Sequence, residues 1–188
     1  MSDYYNNNSK RYIADTLHCD MTEQYTMFLR HLPKQGTILD IGFGSGRDMI
    51  YFSSLGYAVV GIDPTLNFVN NMKQLNYEVY NTTLEDFTKP LQFEGLWACA
   101  SLLHSHDLKK SFSLCAKLLK KGGAFYASFK YGDFTGIKNE RFFVYLTEES
   151  FMNYIDLTEF IVKEMFITVD VRENRSEEKW LNVVLIKK

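Results

Sequence analysis

Short apolar runs alternate with amphipathic segments along the first two thirds of the chain. Apolar runs that end at glycine, proline or a polar turn are typical of buried strands. The segments between them repeat apolar residues every three or four positions, as helices packed on a sheet do. The pattern predicts strands at 37–42, 58–63, 77–81, 96–101 and 124–130, and helices at 46–55, 64–75 and 107–120.

The last third of the chain has a different pattern. Residues 131–146 are charged, aromatic and broken by glycine, and a helix is predicted after them to residue 157, with Thr147 as its N-cap. Two strand-like segments, 160–171 and 180–188, are then joined by a polar turn without a helix. Alternating strands and helices predict a parallel sheet covered on both faces. The expected fold is α/β: a doubly wound, seven-stranded, mostly parallel sheet with an antiparallel last strand.

Composition and charge exclude several classes of protein. The 188 residues are 46% hydrophobic and 23% charged, which is typical of a single globular domain, here 1–188. A net charge of −2 argues against a broad surface for nucleic acid or anionic lipid. The polar N-terminus lacks the core of a signal peptide, and no apolar run is long enough to span a bilayer. Three separated cysteines argue against disulfides or a zinc cluster, so we expect a cytoplasmic protein without a metal.

The segment Asp40–Asp48 (DIGFGSGRD) is the most informative motif of the sequence. A strand ends, a turn containing three glycines follows, and a helix begins, so that a ligand can approach the backbone closely and meet free N–H donors. The second strand ends in Asp63, where an acidic side chain can accept both ribose hydroxyls. The GxGxG spacing differs from the dinucleotide loop GxGxxG, and no P-loop GK[ST] is present. A nucleotide-like ligand of another kind is therefore expected, and a tight turn without a ligand is the alternative.

DIGFGSGRD, then VVGIDP, then a hydrophobic strand after FEGLW carry a resemblance to a known family. From about Tyr12 to the C-terminus the sequence resembles the class I S-adenosylmethionine (SAM)-dependent methyltransferases. Within that group it is most similar to small bacterial enzymes akin to the tellurite-resistance and thiopurine methyltransferases. The resemblance implies the Rossmann-like methyltransferase fold, with SAM as cofactor and S-adenosylhomocysteine (SAH) as product.

The resemblance also implies which residues hold the cofactor. The three glycines match the loop around the methionine part of SAM, Asp40 matches the acid near its amino group, and Asp63 matches the ribose-binding acid. Thr83 stands where family members often have an adenine-binding aspartate, so the Leu84 backbone N–H is the alternative donor. The predicted cofactor-binding residues are Asp40, Gly42, Gly44, Gly46, Asp63, Pro64, Thr83, Leu84, Ser101 and Tyr12.

Two segments rich in aromatic residues are expected to close the site. The chain is 15% aromatic, and by resemblance residues 1–30 form a lid over the cofactor while residues 131–146 line the acceptor pocket. His104 follows the central strand at the carboxyl edge of the sheet and is the candidate general base, with a packing or capping role as the alternative. The predicted pocket residues are Tyr5, Tyr131, Arg141 and Phe143.

The expected function is transfer of a methyl group from SAM to a small-molecule acceptor by in-line displacement. The alternative is a SAM- or SAH-binding sensor or partner subunit without turnover. The fourth strand is followed by CASLLH and not by the [DNS]PP[YFW] motif of adenine methylation, and no Pro-Cys pair for cytosine methylation is present. An NAD-dependent oxidoreductase is disfavoured by the GxGxG loop. We expect a monomer or homodimer that does not act on nucleic acid.

Overall fold

The computed structural model describes residues 2–155, 159–173 and 175–188. The helices are α1 (Ser2–Thr16), α2 (Thr22–Leu29), α3 (Arg47–Ser54), α4 (Leu66–Gln74), α5 (Leu108–Leu118) and α6 (Glu148–Ile155). The strands are β1 (Thr37–Ile41), β2 (Ala58–Ile62), β3 (Glu78–Tyr80), β4 (Phe93–Ala98), β5 (Leu119–Lys130), β6 (Thr135–Lys138), β7 (Arg141–Val144), β8 (Phe160–Val169) and β9 (Lys179–Lys187). A 3-10 turn follows β4 at Leu102–His104. In these described residues, no helix is long and apolar enough to cross a membrane.

Seven strands form one sheet in the order β3-β2-β1-β4-β5-β9-β8. Strands β1 to β5 pair in parallel, and β9 is antiparallel to both of its neighbours, β5 and β8. The predicted fold class is thereby confirmed. Chain order reverses at β1, which lies between β2 and β4, and open α/β sheets bind ligands beyond the carboxyl ends of the strands at such a point.

Two segments differ from the elements that the pattern predicts. Helix α5 ends at Leu118, and β5 starts at the next residue, so Gly122 and Gly123 lie inside a strand and not in a turn. The register between β4 and β5 shifts near this point, and Gly122 has φ +76°, which is how an irregular strand start accommodates glycine. The end of the helix predicted after Thr147, residues 156–157, lies outside the described residues.

Residues 131–146 contain a β-hairpin that the pattern did not predict. Strands β6 and β7 pair in antiparallel register across a two-residue turn, Asn139–Glu140. Both turn residues have positive φ, 50° and 61°, as the tight turns favoured in hairpins require. Since the turn fixes the register, Arg141 is paired with Lys138 and leads the returning strand.

Many aromatic residues outside the two segments expected to close the site, and Phe28 within the first of them, are core residues. Trp97 of β4 is fully buried and stacks on Tyr126 of β5, with ring centroids 3.9 Å apart. Phe28 of α2 packs on Trp97, with centroids 5.2 Å apart, and is itself fully buried. Helix α2 is therefore a core element, and of the segment 1–30 it is α1 that lies across α4.

The glycine turn between β1 and α3 is held closed by side chains from other elements. Gly46 has φ +80°, and a Cβ atom added there would lie 2.1 Å from Sδ of Met72 on α4. Gly56, at the end of α3, has φ +90° but has no atom within 4 Å of such a Cβ. Both glycines have a positive φ, which disfavours any other residue. Of the two, only Gly46 also has a neighbouring side chain in the space that a Cβ atom would occupy.

Gly46→Ala is expected to destabilise the fold more than Gly56→Ala. The positive φ costs about 1–2 kcal/mol at either position. At Gly46 the overlap with Met72 adds about 1–3 kcal/mol, because a packed core resists extra volume. Urea denaturation of both variants measures the two free energies of unfolding. Equal losses would contradict the close packing of α4 on the glycine turn.

Candidate active site

Two carboxylates stand at the ends of adjacent strands. Asp40 lies near the end of β1 and is 1% exposed, and Asp63 directly follows β2 and is 5% exposed. Asp63 accepts hydrogen bonds from the backbone N–H of Gly44 (3.0 Å) and of Thr65 (2.7 Å). Its carboxylate thus holds the glycine turn against the start of α4. Burial raises the pKa of Asp63, and the two N–H donors oppose that rise.

Asp40 is a buried acid with an unpaired oxygen. Among the described residues, its Oδ2 atom has no hydrogen-bond partner, and neither has the buried hydroxyl of Ser101. Burial raises the pKa of Asp40 well above its usual range, and the negative charge of Asp48 raises it further. Ser101 packs so closely on the turn that a Cβ added to Gly42 would lie 2.6 Å from the Ser101 Cβ. Buried polar atoms without partners are costly, so their presence beside the turn indicates a polar ligand.

A buried ion pair supports the turn from below. Arg47 donates from Nε and from a terminal nitrogen to the two oxygens of Asp48, at 2.7 and 3.0 Å. Asp48 also accepts from the Tyr25 hydroxyl (2.5 Å) and from the Trp97 indole (2.8 Å). Burial alone would raise the pKa of Asp48, but Arg47 and these hydrogen bonds lower it below its usual value. Arg47 is consequently engaged by its neighbour and is not a free cation for an acceptor.

Helix α1 covers the glycine turn and the Asp63 side of the site. The Tyr12 ring lies on the glycine turn, where a Cβ added to Gly44 would approach it to 2.9 Å, and it packs on Phe68 with centroids 5.3 Å apart. Asn67 of α4 donates from its side chain to the Asn6 backbone carbonyl (2.9 Å). Burial raises the pKa of the Tyr12 phenol, and Asp63 is among the charges that add to the rise. Asp63 is therefore covered by α1 in this structure.

His104 is a neutral ring bonded at both nitrogens. Its Nδ1 lies 2.7 Å from the Phe142 carbonyl, so this nitrogen donates, and Nε2 accepts from the Tyr5 hydroxyl at 3.1 Å. Burial, with a contribution from the charge of Arg141, lowers the pKa of His104 to about 4. The predicted general base thus lies at the expected edge, but its lone pair faces Tyr5 and not open space.

The hairpin β6–β7 and the N-terminal helix meet above His104. Arg141 donates to the Tyr5 oxygen (3.2 Å), and Phe143 packs on the His104 ring with centroids 4.7 Å apart. Tyr131 donates from its hydroxyl to Glu148 (3.0 Å). These side chains border a cavity of about 620 Å³ between α1, the carboxyl ends of β1, β4 and β5, the hairpin and the turn after β8.

Seven of the fifteen predicted site residues line this cavity. Five others lie at or beside the glycine turn and are not among the residues that line it: Asp40, Gly44, Gly46, Asp63 and Ser101. Gly42 and nearly all of the predicted lid and pocket residues line the cavity: Tyr5, Tyr12, His104, Tyr131, Arg141 and Phe143. Thr83 lies elsewhere and caps a local turn, exchanging hydrogen bonds with Asp86. Leu84 is buried in the apolar core, and neither it nor Pro64 is among the residues that line this cavity.

One wall of the cavity was missed by the sequence interpretation. Asp170, at the end of β8, accepts from Arg172 and from the Trp180 indole (3.0 Å), and all three line the cavity. The charged turn RENRSEEK, placed between two strands at the edge of the sheet, is the signal that was available. Within the described ranges, no three His, Cys, Asp or Glu side chains are grouped so that they could hold a metal ion.

Solved structures with this fold include several methyltransferases. The 1,6-didemethyltoxoflavin-N1-methyltransferase of Burkholderia thailandensis, solved with its substrate and SAH, superposes with a TM-score of 0.82 at 17% identity, covering 100% of this chain and 87% of that chain. A glycopeptide N-methyltransferase, MtfA, solved with SAH, superposes with a TM-score of 0.70 at 12% identity, covering 91% of each chain. These identities establish a shared fold.

Sequence comparison also finds a methyltransferase domain in this chain. Residues 39–127 match the model of a methyltransferase domain, a segment that contains the glycine turn, Asp40 and Asp63. The ubiquinone biosynthesis O-methyltransferase of Nitrobacter winogradskyi is 32% identical over 97 residues, which cover 48% of this chain and 37% of that protein. The match thus extends over little more than a third of that curated relative.

The narrower resemblance to the tellurite-resistance and thiopurine groups stays a prediction. The sheet order with its antiparallel last strand, the glycine turn flanked by two strand-end acids, and the matched domain agree on the broader family. The chain has the fold of the class I SAM-dependent methyltransferases, and its residues 39–127 match the methyltransferase domain family.

Proposed function

We propose that this protein transfers a methyl group from SAM to a small-molecule acceptor held in the cavity above the carboxyl edge of the sheet. The observation that carries the proposal is the pair of buried acids, Asp40 and Asp63, on either side of a glycine turn, with Oδ2 of Asp40 and the Ser101 hydroxyl unpartnered. Burying these polar atoms without hydrogen-bond partners lowers the stability of the fold. A polar ligand that supplies the missing partners explains why they are there.

The residues of the site fit the cofactor of the family. Asp40 offers a carboxylate oxygen to the cationic amino group of SAM. Asp63 already accepts two backbone N–H bonds, but a carboxylate has about four acceptor sites, so it can also take ribose hydroxyls. Gly42 and Gly44 carry no side chains of their own, so the backbone of the turn can meet a ligand when the Tyr12 ring moves off Gly44. When bound, SAM supplies a methyl group on a positively charged sulfur, and that group is itself reactive.

The contribution of the chain is alignment, exclusion of water and, for a protonated acceptor, removal of a proton. Tyr5 and His104 are arranged for the last task. A proton that leaves an acceptor can pass to the Tyr5 oxygen while the Tyr5 proton passes to Nε2 of His104, over a hydrogen bond of 3.1 Å. The hydrogen bond from Nδ1 to the Phe142 carbonyl then stabilises the charged ring.

The size and lining of the cavity support a small acceptor. A volume of about 620 Å³ is within the range of small-molecule sites, and aromatic side chains from α1 and the hairpin form much of its wall. Two of the similar proteins described above are named for small molecules, 1,6-didemethyltoxoflavin and ubiquinone. The same proposal has the protein working in the cytoplasm, since its three cysteines are free thiols.

Asp63→Asn is expected to weaken SAH binding by about tenfold or more, because a charge-assisted bond to the ribose is lost. The asparagine oxygen still accepts one of the two backbone N–H bonds, so the turn is kept. Titration calorimetry with SAH measures the change. Glu85→Gln, which removes an exposed carboxylate from a nearby loop, is the control and should bind as the native protein does. Equal affinities for all three proteins would remove Asp63 from the site.

Asp40→Asn is expected to stabilise the free protein at neutral pH while weakening SAH binding. In the folded state the pKa of Asp40 is raised, so its unfavourable contribution appears as pH rises from about 4, the unfolded value, towards the folded value. Asparagine avoids that loss, which we expect to be about 1–3 kcal/mol at pH 8.

Asp48→Asn is the matched control for Asp40→Asn. It makes the same substitution at a buried carboxylate that is already paired, with Arg47. The pKa of Asp48 is lowered in the fold, so its stabilising contribution is present above about pH 4, and its removal should cost about 3–5 kcal/mol at pH 8. Urea denaturation at pH 5 and pH 8 compares the three proteins. A less stable Asp40→Asn protein at pH 8 would mean that this carboxylate is paired and not held for a ligand.

Tyr5→Phe is expected to lower methyl transfer by about a hundredfold while SAH affinity changes less than twofold, if the acceptor arrives protonated. The measurement is incorporation of labelled methyl from SAM into a small-molecule extract and then into the acceptor found there. Tyr77→Phe, which removes a hydroxyl outside the cavity lining, is the control. An unchanged rate in Tyr5→Phe would leave the Tyr5–His104 bond as structure alone.

A further inference from the structure

Arg141 stands at the cavity as a cation without a counterion. Within residues 2–155, 159–173 and 175–188, no carboxylate oxygen lies within 4 Å of its guanidinium group, and its buried Nε atom has no hydrogen-bond partner. Its one hydrogen bond goes to the neutral Tyr5 oxygen at 3.2 Å. Two other arginines of the cavity wall, Arg47 and Arg172, are each paired with an aspartate.

The acids nearby are committed to other partners. The two buried carboxylates of the cavity wall are Asp48, bound to Arg47, and Asp170, bound to Arg172. Removing a guanidinium group from water without a partner is costly, and the cost is recovered when an anion binds. The positive charge of Arg141 is therefore available to something that enters the cavity.

Aromatic rings surround the guanidinium group. Its central carbon lies 4.3 Å from the centroid of the Tyr4 ring, 5.0 Å from that of Phe143 and 5.6 Å from that of Tyr5. Tyr4 and Tyr5 come from α1 and Phe143 from β7, so the guanidinium plane is held between the lid helix and the hairpin. Aromatic walls favour a flat ring as their next layer, and a planar guanidinium group favours a carboxylate or a similar flat anion.

The hairpin fixes the backbone position of Arg141 at the cavity. The two-residue turn Asn139–Glu140 places Arg141 at the first position of β7, opposite Lys138. His104, beside it, is bonded at both nitrogens and neutral, so it neither competes for an anion nor repels a cation.

Resting on the proposed function, we infer that the methyl acceptor is a flat aromatic or heteroaromatic molecule with an acidic group, and that Arg141 is the residue that selects it. The acid binds the free edge of the guanidinium group, and the ring of the acceptor lies against the aromatic side chains of α1 and the hairpin. Arg141 thereby determines specificity without taking part in methyl transfer.

The test uses two probes of the same shape, 2-naphthoate and 2-naphthamide, titrated calorimetrically into the protein with and without saturating SAH. The native protein should bind the carboxylate about tenfold more tightly than the amide. Arg141→Gln should bind both probes within twofold of each other and should keep its SAH affinity, which also shows that the variant is folded. Lys138→Gln removes an exposed cation of the same hairpin, one that also lines the cavity, and should keep the preference if Arg141 is the selecting residue.

Three results would overturn the inference: no preference in the native protein, a preference that survives in Arg141→Gln, or a preference that disappears equally in Lys138→Gln. The SAH titrations separate this inference from the proposed function. Native protein that binds SAH but shows no preference overturns the selection by Arg141 and leaves methyl transfer standing. If the native protein does not bind SAH but prefers naphthoate, and Arg141→Gln abolishes that preference, the anion site is supported and methyl transfer is overturned.

Discussion

The buried ion pair between Arg47 and Asp48 is the interaction on which the site depends. Two charges are taken out of water at the start of α3, and such a pair is stable only when the remaining donors and acceptors are satisfied. Here the Tyr25 hydroxyl and the Trp97 indole complete the shell of Asp48, so α2, α3 and β4 are tied together directly beneath the glycine turn. The network also affects the charge of Asp40, near the glycine turn. With Asp48 held as an anion, Asp40 is disfavoured as a second one, and the site is left with an acid that a cationic ligand would stabilise.

The fold could be predicted because its signals are local. The apolar runs, the helical periods and the spacing from Asp40 to Asp63 are all contained within short stretches, and each strand of the main sheet lies near its expected position. The hairpin β6–β7 was missed because its turn is Asn139–Glu140, where glutamate with positive φ replaces the glycine that usually marks such turns. The early start of β5 was missed because Gly122 and Gly123 resemble a helix end, whereas here they belong to an irregular strand.

The candidate site was predictable only in part, because only some of its signals are local in the sequence. The strand-end acids and the glycine turn are read from one motif, but the contacts of Tyr5 join residues that are 99 and 136 positions apart, and only tertiary packing brings them together. His104 was placed correctly at the sheet edge, yet its lowered pKa follows from burial and from the nearby charge of Arg141, neither of which the sequence displays. Aromatic composition alone did not separate core from lid, because Trp97 and Tyr126 fill the centre of the sheet while Tyr5 and Phe143 border the cavity.

Helix α1 belongs to both halves of the site at once. Through Tyr12 and Asn6 it covers the turn and α4 beside Asp63, and through Tyr5 it holds Arg141 and His104 in one chain of hydrogen bonds. A movement of α1 that uncovers Asp63 therefore also takes the Tyr5 hydroxyl away from its two partners. Access to Asp63 and the contacts of Tyr5 with His104 and Arg141 therefore both depend on the position of α1. Under the proposed function, exchange of cofactor for product and assembly of the acceptor pocket would both depend on where α1 lies.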